Sequence, residues 1–401
     1  MKKSIYALPG ARRAVLTRDG RHTALKNTLC LLQQANSREY RIVLPVIVLA
    51  ALLVLADCGS TGISPNTTSA TTPASTTTGE IHEYPLPQDK SGLMRPVSDH
   101  RGRIWFGEMG RNALAVFDPH SETFQQSTPP HGAFGIMGIA VAGDDTIWFA
   151  EQYANYIGHY DPVSGKYTTY DLPVITTPDP GDQNKTLTLP TAPNDIAIDA
   201  QGNAWFTEMN ADALGMLDTR TGQFRHYAIS DKKSVQTISP YGITIDAQGM
   251  VWFSEASTNN LGRLDPRTGS IHHFTLHGPN NPLMELASDT HGNIWATTFH
   301  YPDLLKFDPV TETFTSYPVP ALANSTSALY DLAITPGGTI WTTLTAANEI
   351  ARFDMSTKKY TYYQIPTESS LPLGITQGAD HTLWFTESAA NKLGVLKTTG
   401  A

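Results

Sequence analysis

Three acids interrupt a repeat in this chain of 401 residues: Asp195, Glu285 and Asp331 stand where other copies of the repeat carry Gly138, Gly242 and Gly374. Carboxylates supply oxygen ligands for a hard cation and bases for proton abstraction. Acids that break a repeat are better functional candidates than acids that obey it. These three are therefore read as a shared ligand or metal site, the alternative being surface acids beside water in an open channel. One residue earlier, the same positions carry Asn194, Tyr241 and Tyr330, together with Met94, Met137 and Met284. Asn194, Asp195, Tyr241, Glu285, Tyr330 and Asp331 are thus the expected lining of a binding mouth.

A second set of acids obeys the repeat. Glu108, Glu151, Glu208, Glu255 and Glu387 recur as Glu-x3-Asn/Asp, as in Glu255 with Asn259, and give way to Thr298 and Leu344 in two copies. A carboxylate repeated five times can accept the N–H groups of a neighbouring turn. Alternatively, the five form a ring that points at the mouth and holds a divalent cation, with Glu387 joining Asp195, Glu285 and Asp331 as metal donors. His300, in the copy that lacks its glutamate, is either a base or ligand or an ordinary rim histidine. His300 and Glu387 are the catalytic candidates.

The elements that position these residues follow from the tryptophans. Trp105, Trp148, Trp205, Trp252, Trp295, Trp341 and Trp384 lie 43, 57, 47, 43, 46 and 43 residues apart. Short strands between Gly and Asp-Pro turns at such a period predict an all-β, seven-bladed propeller of four-stranded blades over residues 80–398. The tryptophans should pack between blades. Residues 81–86 read as a fourth strand placed ahead of the first blade, and 392–397 as a third strand with none after it. The N-terminal strand 81–86 should therefore close the last blade and remove two free edges. The 57-residue interval places an insertion near Asp171–Pro190, either a wall over the mouth or a tolerated surface loop.

Residues 1–57 read as a leader. A basic stretch precedes the uncharged apolar run Ile42–Ala56, too short for a membrane span of about 20 residues and suited to a signal-peptide core. Leu55-Ala56-Asp57-Cys58 resembles a bacterial lipobox, with Cys58 as the lipidated residue and Asp57 as its departure. Residues 59–79, almost all Ser, Thr, Pro, Gly and Ala, read as a flexible tether. The expected product is an exported monomer, anchored by lipid at the outer face of a bacterial cell membrane, with no other membrane contact.

Charge excludes one class of partner. Net charge is −9 from 28 basic and 37 acidic residues. Without the leader's 9 basic and 3 acidic residues it is −15. Such a head repels nucleic acid. A small molecule or peptide at the mouth is the expected partner.

Trp-Phe-Thr/Ser-Glu followed by Asn-x-Ile/Leu-Gly, with Pro240-Tyr-Gly-Ile243 and Pro372-Leu-Gly-Ile375 ahead of two copies, resembles the virginiamycin B lyase family of seven-bladed propellers. The resemblance implies an elimination that opens a cyclic depsipeptide lactone, with Mg²⁺ polarising the ester and a histidine base. That base belongs to a Glu-Pro-His-Gly-Ile run in the last blade. The matching stretch here is Leu371-Pro-Leu373-Gly-Ile375, so Leu373 replaces the base and only Glu387 keeps its place. Three functions follow as expectations: a metal-dependent lyase acting on a cyclic ester or lactone with Mg²⁺ or Ca²⁺, a non-catalytic ligand- or protein-binding propeller, and a gluconolactonase-like hydrolase.

Overall fold

The computed structural model describes residues 80–131, 135–179, 182–230, 238–320 and 329–397. The leader, Cys58 and the Ser/Thr-rich tether lie outside the described residues. Seven four-stranded antiparallel sheets and one two-stranded sheet make up the described part. Each of the seven is a blade, and the all-β propeller expected from the tryptophan period is the observed architecture.

The first strands of the blades surround the central channel. They are Leu93–Ser98, Ile136–Val141, Pro193–Ile198, Pro240–Ile245, Leu283–Ser288, Leu329–Ile334 and Pro372–Gln377. In blade 7 the sheet order runs from the N-terminal strand Glu80–Pro85 through Lys392–Lys397 and Leu383–Glu387 to Pro372–Gln377. Glu80 pairs with Lys397 and Pro85 with Lys392, so the first strand of the chain is the outer edge of the last blade. Glu83 fixes the closure, accepting from Thr367 N–H at 2.9 Å and from Lys392 Nζ at 2.7 Å.

The repeated sequence signals have separate physical roles. Each tryptophan belongs to one blade and packs into the next: Trp295 joins Leu329, Leu332 and Ile340, and Trp384 joins Leu93, Ile104 and Phe106 across the closure. The glycine of Asn-x-Leu-Gly leaves room for a phenylalanine of the strand beside it. A Cβ on Gly262 would lie 2.0 Å from the Phe253 ring. The Asn/Asp of the motif ties one blade to the next. Asn155 Oδ1 accepts Ala192 N–H at 3.1 Å, Asp212 Oδ1 accepts Ser239 N–H at 2.9 Å, and Asn391 Oδ1 accepts Ser91 N–H at 3.0 Å. Asn155, Asp212 and Asn391 hold φ of 59°, 47° and 57°, a left-handed conformation that Asn and Asp tolerate better than most residues. The insertion between blades 2 and 3 is a hairpin of Val174–Asp179 with Asp182–Pro190.

Candidate functional site: an arginine held by three carboxylates

Every first strand carries the same irregularity. Pro240 pairs with Glu255, but the next pair is Ile243 with Phe253, so Tyr241 and Gly242 face the single residue Ser254. Two residues against one is a β-bulge, which bends the strand and re-aims its side chains. The break recurs in all seven blades. The hydroxyl of Trp-Phe-Thr/Ser-Glu fixes the bulge. Thr207 Oγ1 accepts Asp195 N–H at 3.1 Å and donates to Tyr241 O of the next blade at 2.9 Å. Thr297 does the same for Glu285 N–H and Tyr330 O, at 3.1 and 3.0 Å.

The seven bulges place one residue each in a ring: Arg95, Gly138, Asp195, Gly242, Glu285, Asp331 and Gly374. The glycines have a steric cause. A Cβ on Gly138 would lie 2.6 Å from Asp195 Cα, one on Gly242 2.5 Å from Met284 O, and one on Gly374 2.5 Å from Arg95 Cα. Each glycine thus makes room for the charged residue, or its strand, in the following blade.

Arg95 crosses to the acids. Its Nη1 lies 2.8 Å from Asp195 Oδ2 and 2.7 Å from Glu285 Oε2, and its Nε lies 3.4 Å from Asp331 Oδ2. The side chain of Arg95 keeps 24% of its surface exposed, against 4%, 2% and 1% for the three acids. Two of the acids also hold backbone donors. Asp195 Oδ2 accepts Ile243 N–H at 2.9 Å, while Asp331 accepts Leu332 N–H at 2.8 Å and Ile375 N–H at 3.0 Å. The Glu285 carboxylate has only the guanidinium as a hydrogen-bond partner among the described residues. Burial pushes the Glu285 carboxyl well above the usual carboxylate range; Arg95 opposes the shift, and Asp195 and Asp331 add to it. Burial likewise raises Asp331, against Arg95 and its two backbone donors. For Arg95 burial disfavours the charge, but Asp195, Asp331 and Glu285 outweigh it and hold the guanidinium well above its ordinary pKa.

The neighbouring ring consists of Met94, Met137, Asn194, Tyr241, Met284, Tyr330 and Leu373. The Tyr241 and Tyr330 hydroxyls lie 3.1 Å apart, and burial raises both phenols above their ordinary range. Asn194 is committed to packing: it donates to Tyr241 O at 3.2 Å and accepts from Gln152 Nε2 at 3.2 Å. Together the two rings leave a cavity of about 10 Å³, room for about one water.

Asp195, Glu285 and Asp331, singled out in the sequence, are therefore brought together, with Tyr241 and Tyr330 beside them. Arg95 was missed, although it occupies the same register as the three acids. It stands in the one copy where the repeat-breaking residue is basic, and its sign concealed the relation. The cation at which the three carboxylates converge is this guanidinium. The donor set does not fit a divalent ion at that point, because the oxygen each acid turns to it (Asp195 Oδ2, Glu285 Oε2 and Asp331 Oδ2) is already engaged with Arg95.

The five repeated glutamates do not point at the mouth. All are buried; Glu108, Glu208, Glu255 and Glu387 reach over the third strand toward the fourth, while Glu151 turns to the N–H groups of Tyr153 and Ala154 in the turn after its strand. Glu208 Oε2 lies 2.9 Å from His226 Nδ1, and Glu255 Oε1 lies 2.6 Å from His273 Nδ1. In blade 7 the register position of His226 is held by Glu83, so Glu387 faces an acid. Burial, then Glu83, pushes Glu387 up to about 8. In blade 2 that position is Thr169, and burial raises Glu151 to about 8. The expectation of a carboxylate ring at the mouth is corrected by this outward direction, and Glu387 does not join the other acids. His300 lies on the loop after Thr298, its N–H donating to Asn281 Oδ1 at 2.9 Å and its ring 5.0 Å from Phe299. It is apart from the Arg95 cluster.

Comparison with known proteins agrees with the fold. No curated protein sequence matches. Among solved structures, a streptogramin B lyase superposes with a TM-score of 0.70 at 26% identity, over 80% of this chain and 98% of that one. Virginiamycin B lyase from Staphylococcus aureus gives 0.69 at 23%, over 80% and 99%. The extracellular domain of a putative hybrid two-component system from B. thetaiotaomicron shares the fold, with a TM-score of 0.62 at 15% identity, over 80% of this chain and 40% of that one. The model of the virginiamycin B lyase family matches residues 68–298 and 190–401. With the repeats, the blade closure and these matches in hand, the chain belongs to the virginiamycin B lyase family.

Proposed function

We propose that this chain is an exported, ligand-binding propeller of its family that does not perform metal-assisted lactone elimination. The observation that carries the reading is the Arg95 clamp on Asp195, Glu285 and Asp331. It engages the carboxylates that a metal would need. The residue aligned with the family's base is Leu373, a side chain that cannot take a proton. The bound partner is a small molecule or peptide with an apolar face, resting on the partly exposed Met137 and Tyr330 over the buried Met94, Met284 and Tyr241 rather than inside the one-water cavity. Unbranched methionines repack around varied shapes, and the tyrosine hydroxyls supply polar contacts at low entropic cost.

The uncharged apolar run and the Ser/Thr-rich tether support export, with lipid attachment at Cys58. The extracellular placement of the similar B. thetaiotaomicron domains accords with this. The test is incubation of the protein with a cyclic depsipeptide lactone and Mg²⁺, followed by mass spectrometry. Elimination leaves the mass unchanged but opens the ring, shifting chromatographic retention; hydrolysis adds one water. The reading expects neither product. Ring opening with unchanged mass would restore the lyase function.

A further inference from the structure

A cavity of about 550 Å³ lies between blades 2 and 3, bounded by their first turns and by the outer-strand residues His159 and Tyr170. Its origin is a missing carboxylate. In four blades an aspartate six residues before the tryptophan accepts the indole N–H: Asp99 from Trp105, Asp199 from Trp205, Asp246 from Trp252 and Asp289 from Trp295, at 2.7–2.9 Å. Blade 2 has Ala142 instead. Trp148 is only 5% exposed and lines the cavity, yet its indole N–H has no acceptor among the described residues. Blades 6 and 7 also lack the acid, but there the space is filled. Arg352 lies over Trp341 at 6.0 Å. In blade 7 the turn itself approaches Trp384, so closely that a Cβ on Gly378 would lie 2.8 Å from Nε1. In blade 2 the shorter His159 takes the register of Arg352, with its ring 4.4 Å from Trp148, and Tyr170 stacks at 5.9 Å.

The cavity therefore offers an unpaired, accessible indole N–H donor and aromatic rings beside an acid. Asp144, on the same turn, accepts Thr146 N–H and Oγ1–H through Oδ1, at 3.1 and 2.7 Å, which leaves Oδ2 as an acceptor. A donor next to an acceptor, flanked by aromatic rings, matches the hydroxyls and C–H face of a sugar. A neutral ligand also avoids repulsion by an acidic protein. The volume falls within the range of about 300–1,000 Å³ usual for small-molecule sites. We propose that the cavity lined by Ala142, Asp144, Trp148, His159 and Tyr170 is a saccharide-binding site, separate from the mouth.

The test is a titration of the ¹⁵N-labelled protein with methyl glucoside, methyl galactoside, N-acetylglucosamine and cellobiose. The readout is the Trp148 indole N–H resonance, assigned with Trp148→Phe. The control variant is Ala142→Asp, which restores the acid found in four sister blades and is expected to fold. A saturable shift of the Trp148 resonance with at least one sugar, lost in Ala142→Asp, is the expected result. No shift with any of the four, or one that persists unchanged in Ala142→Asp, overturns the proposal.

Discussion

Arg95 and Glu285 meet across the channel, Nη1 2.7 Å from Oε2, although they belong to blades 1 and 5 and are separated by 190 residues. A pair formed across the axis joins opposite sides of the ring, as no contact between neighbouring blades can. With Asp195 and Asp331 added, blades 1, 3, 5 and 6 share one guanidinium. Removing it leaves three buried carboxylates without their cation. Arg95→Met should therefore lower stability by about 3–5 kcal/mol, the usual cost of breaking a buried ion pair. The loss should be largest at neutral and higher pH, and shrink as acid protonates the carboxyls. Adding Asp195→Asn, Glu285→Gln and Asp331→Asn should recover much of it. Urea unfolding of the single and combined variants checks this; equal losses in both would place the effect in packing rather than charge.

Glu151 and Glu387 should make the fold less stable as pH rises. Both carboxyls stand near pKa 8 in the folded chain, against an ordinary value of 4.5, mainly because of burial. The folded state thus binds protons that the unfolded chain has released. The stabilising contribution is complete below about 4.5 and is lost progressively up to about 8. Glu151→Gln should raise the melting temperature at pH 8 and leave it nearly unchanged at pH 4.5. A shift of equal size at both values would show that the carboxyl does not titrate in this window.

The glycines under the phenylalanine rings admit a simple check. A Cβ on Gly262 would come within 2.0 Å of Phe253, closer than any ring can accept without moving. Gly262→Ala should cost about 1–3 kcal/mol, the range for overpacking a core. Gly249→Ala, at a turn with no atom within 4 Å of the added carbon but with φ of 79°, provides a comparison in which backbone strain acts alone. Paired melting curves separate the two causes.

Anchoring is tested in the cell. Cys58→Ser should release the protein from the membrane fraction if Cys58 carries the lipid, and leave it membrane-bound if the apolar run Ile42–Ala56 is itself the anchor.

Much of the fold was legible because its cause is periodic. Seven tryptophans at one repeat position, with Asn/Asp and Gly at fixed offsets, specify blades, blade ties and phenylalanine clearances together. The displaced strand Glu80–Pro85 was readable as a fourth strand without a first. The site was only half legible. Asp195, Glu285 and Asp331 announced themselves by breaking the repeat, but the periodic pattern carries no information on where a long side chain ends. Arg95 breaks the same register and reaches the opposite side of the ring, a relation that appears only once the channel diameter is known. The outward direction of Glu208 and Glu255 had a sequence signal in His226 and His273, each 18 residues later. Recognising it requires knowing that second and fourth strands communicate over a third strand thinned by Gly215 and Gly262.

The most direct measurement is the melting temperature of the protein with Mg²⁺, Ca²⁺ or Mn²⁺ against EDTA, for the wild type and for Arg95→Met. A site filled at a hundred times its dissociation constant stabilises a fold by about 2.7 kcal/mol, a shift that melting curves resolve readily. With Arg95 holding the three carboxylates, the wild type should show no metal-specific rise, while Arg95→Met, its acids freed, should gain one. A metal-specific rise in the wild type that Asp195→Asn with Glu285→Gln abolishes would contradict the account and put an ion where the guanidinium is assigned.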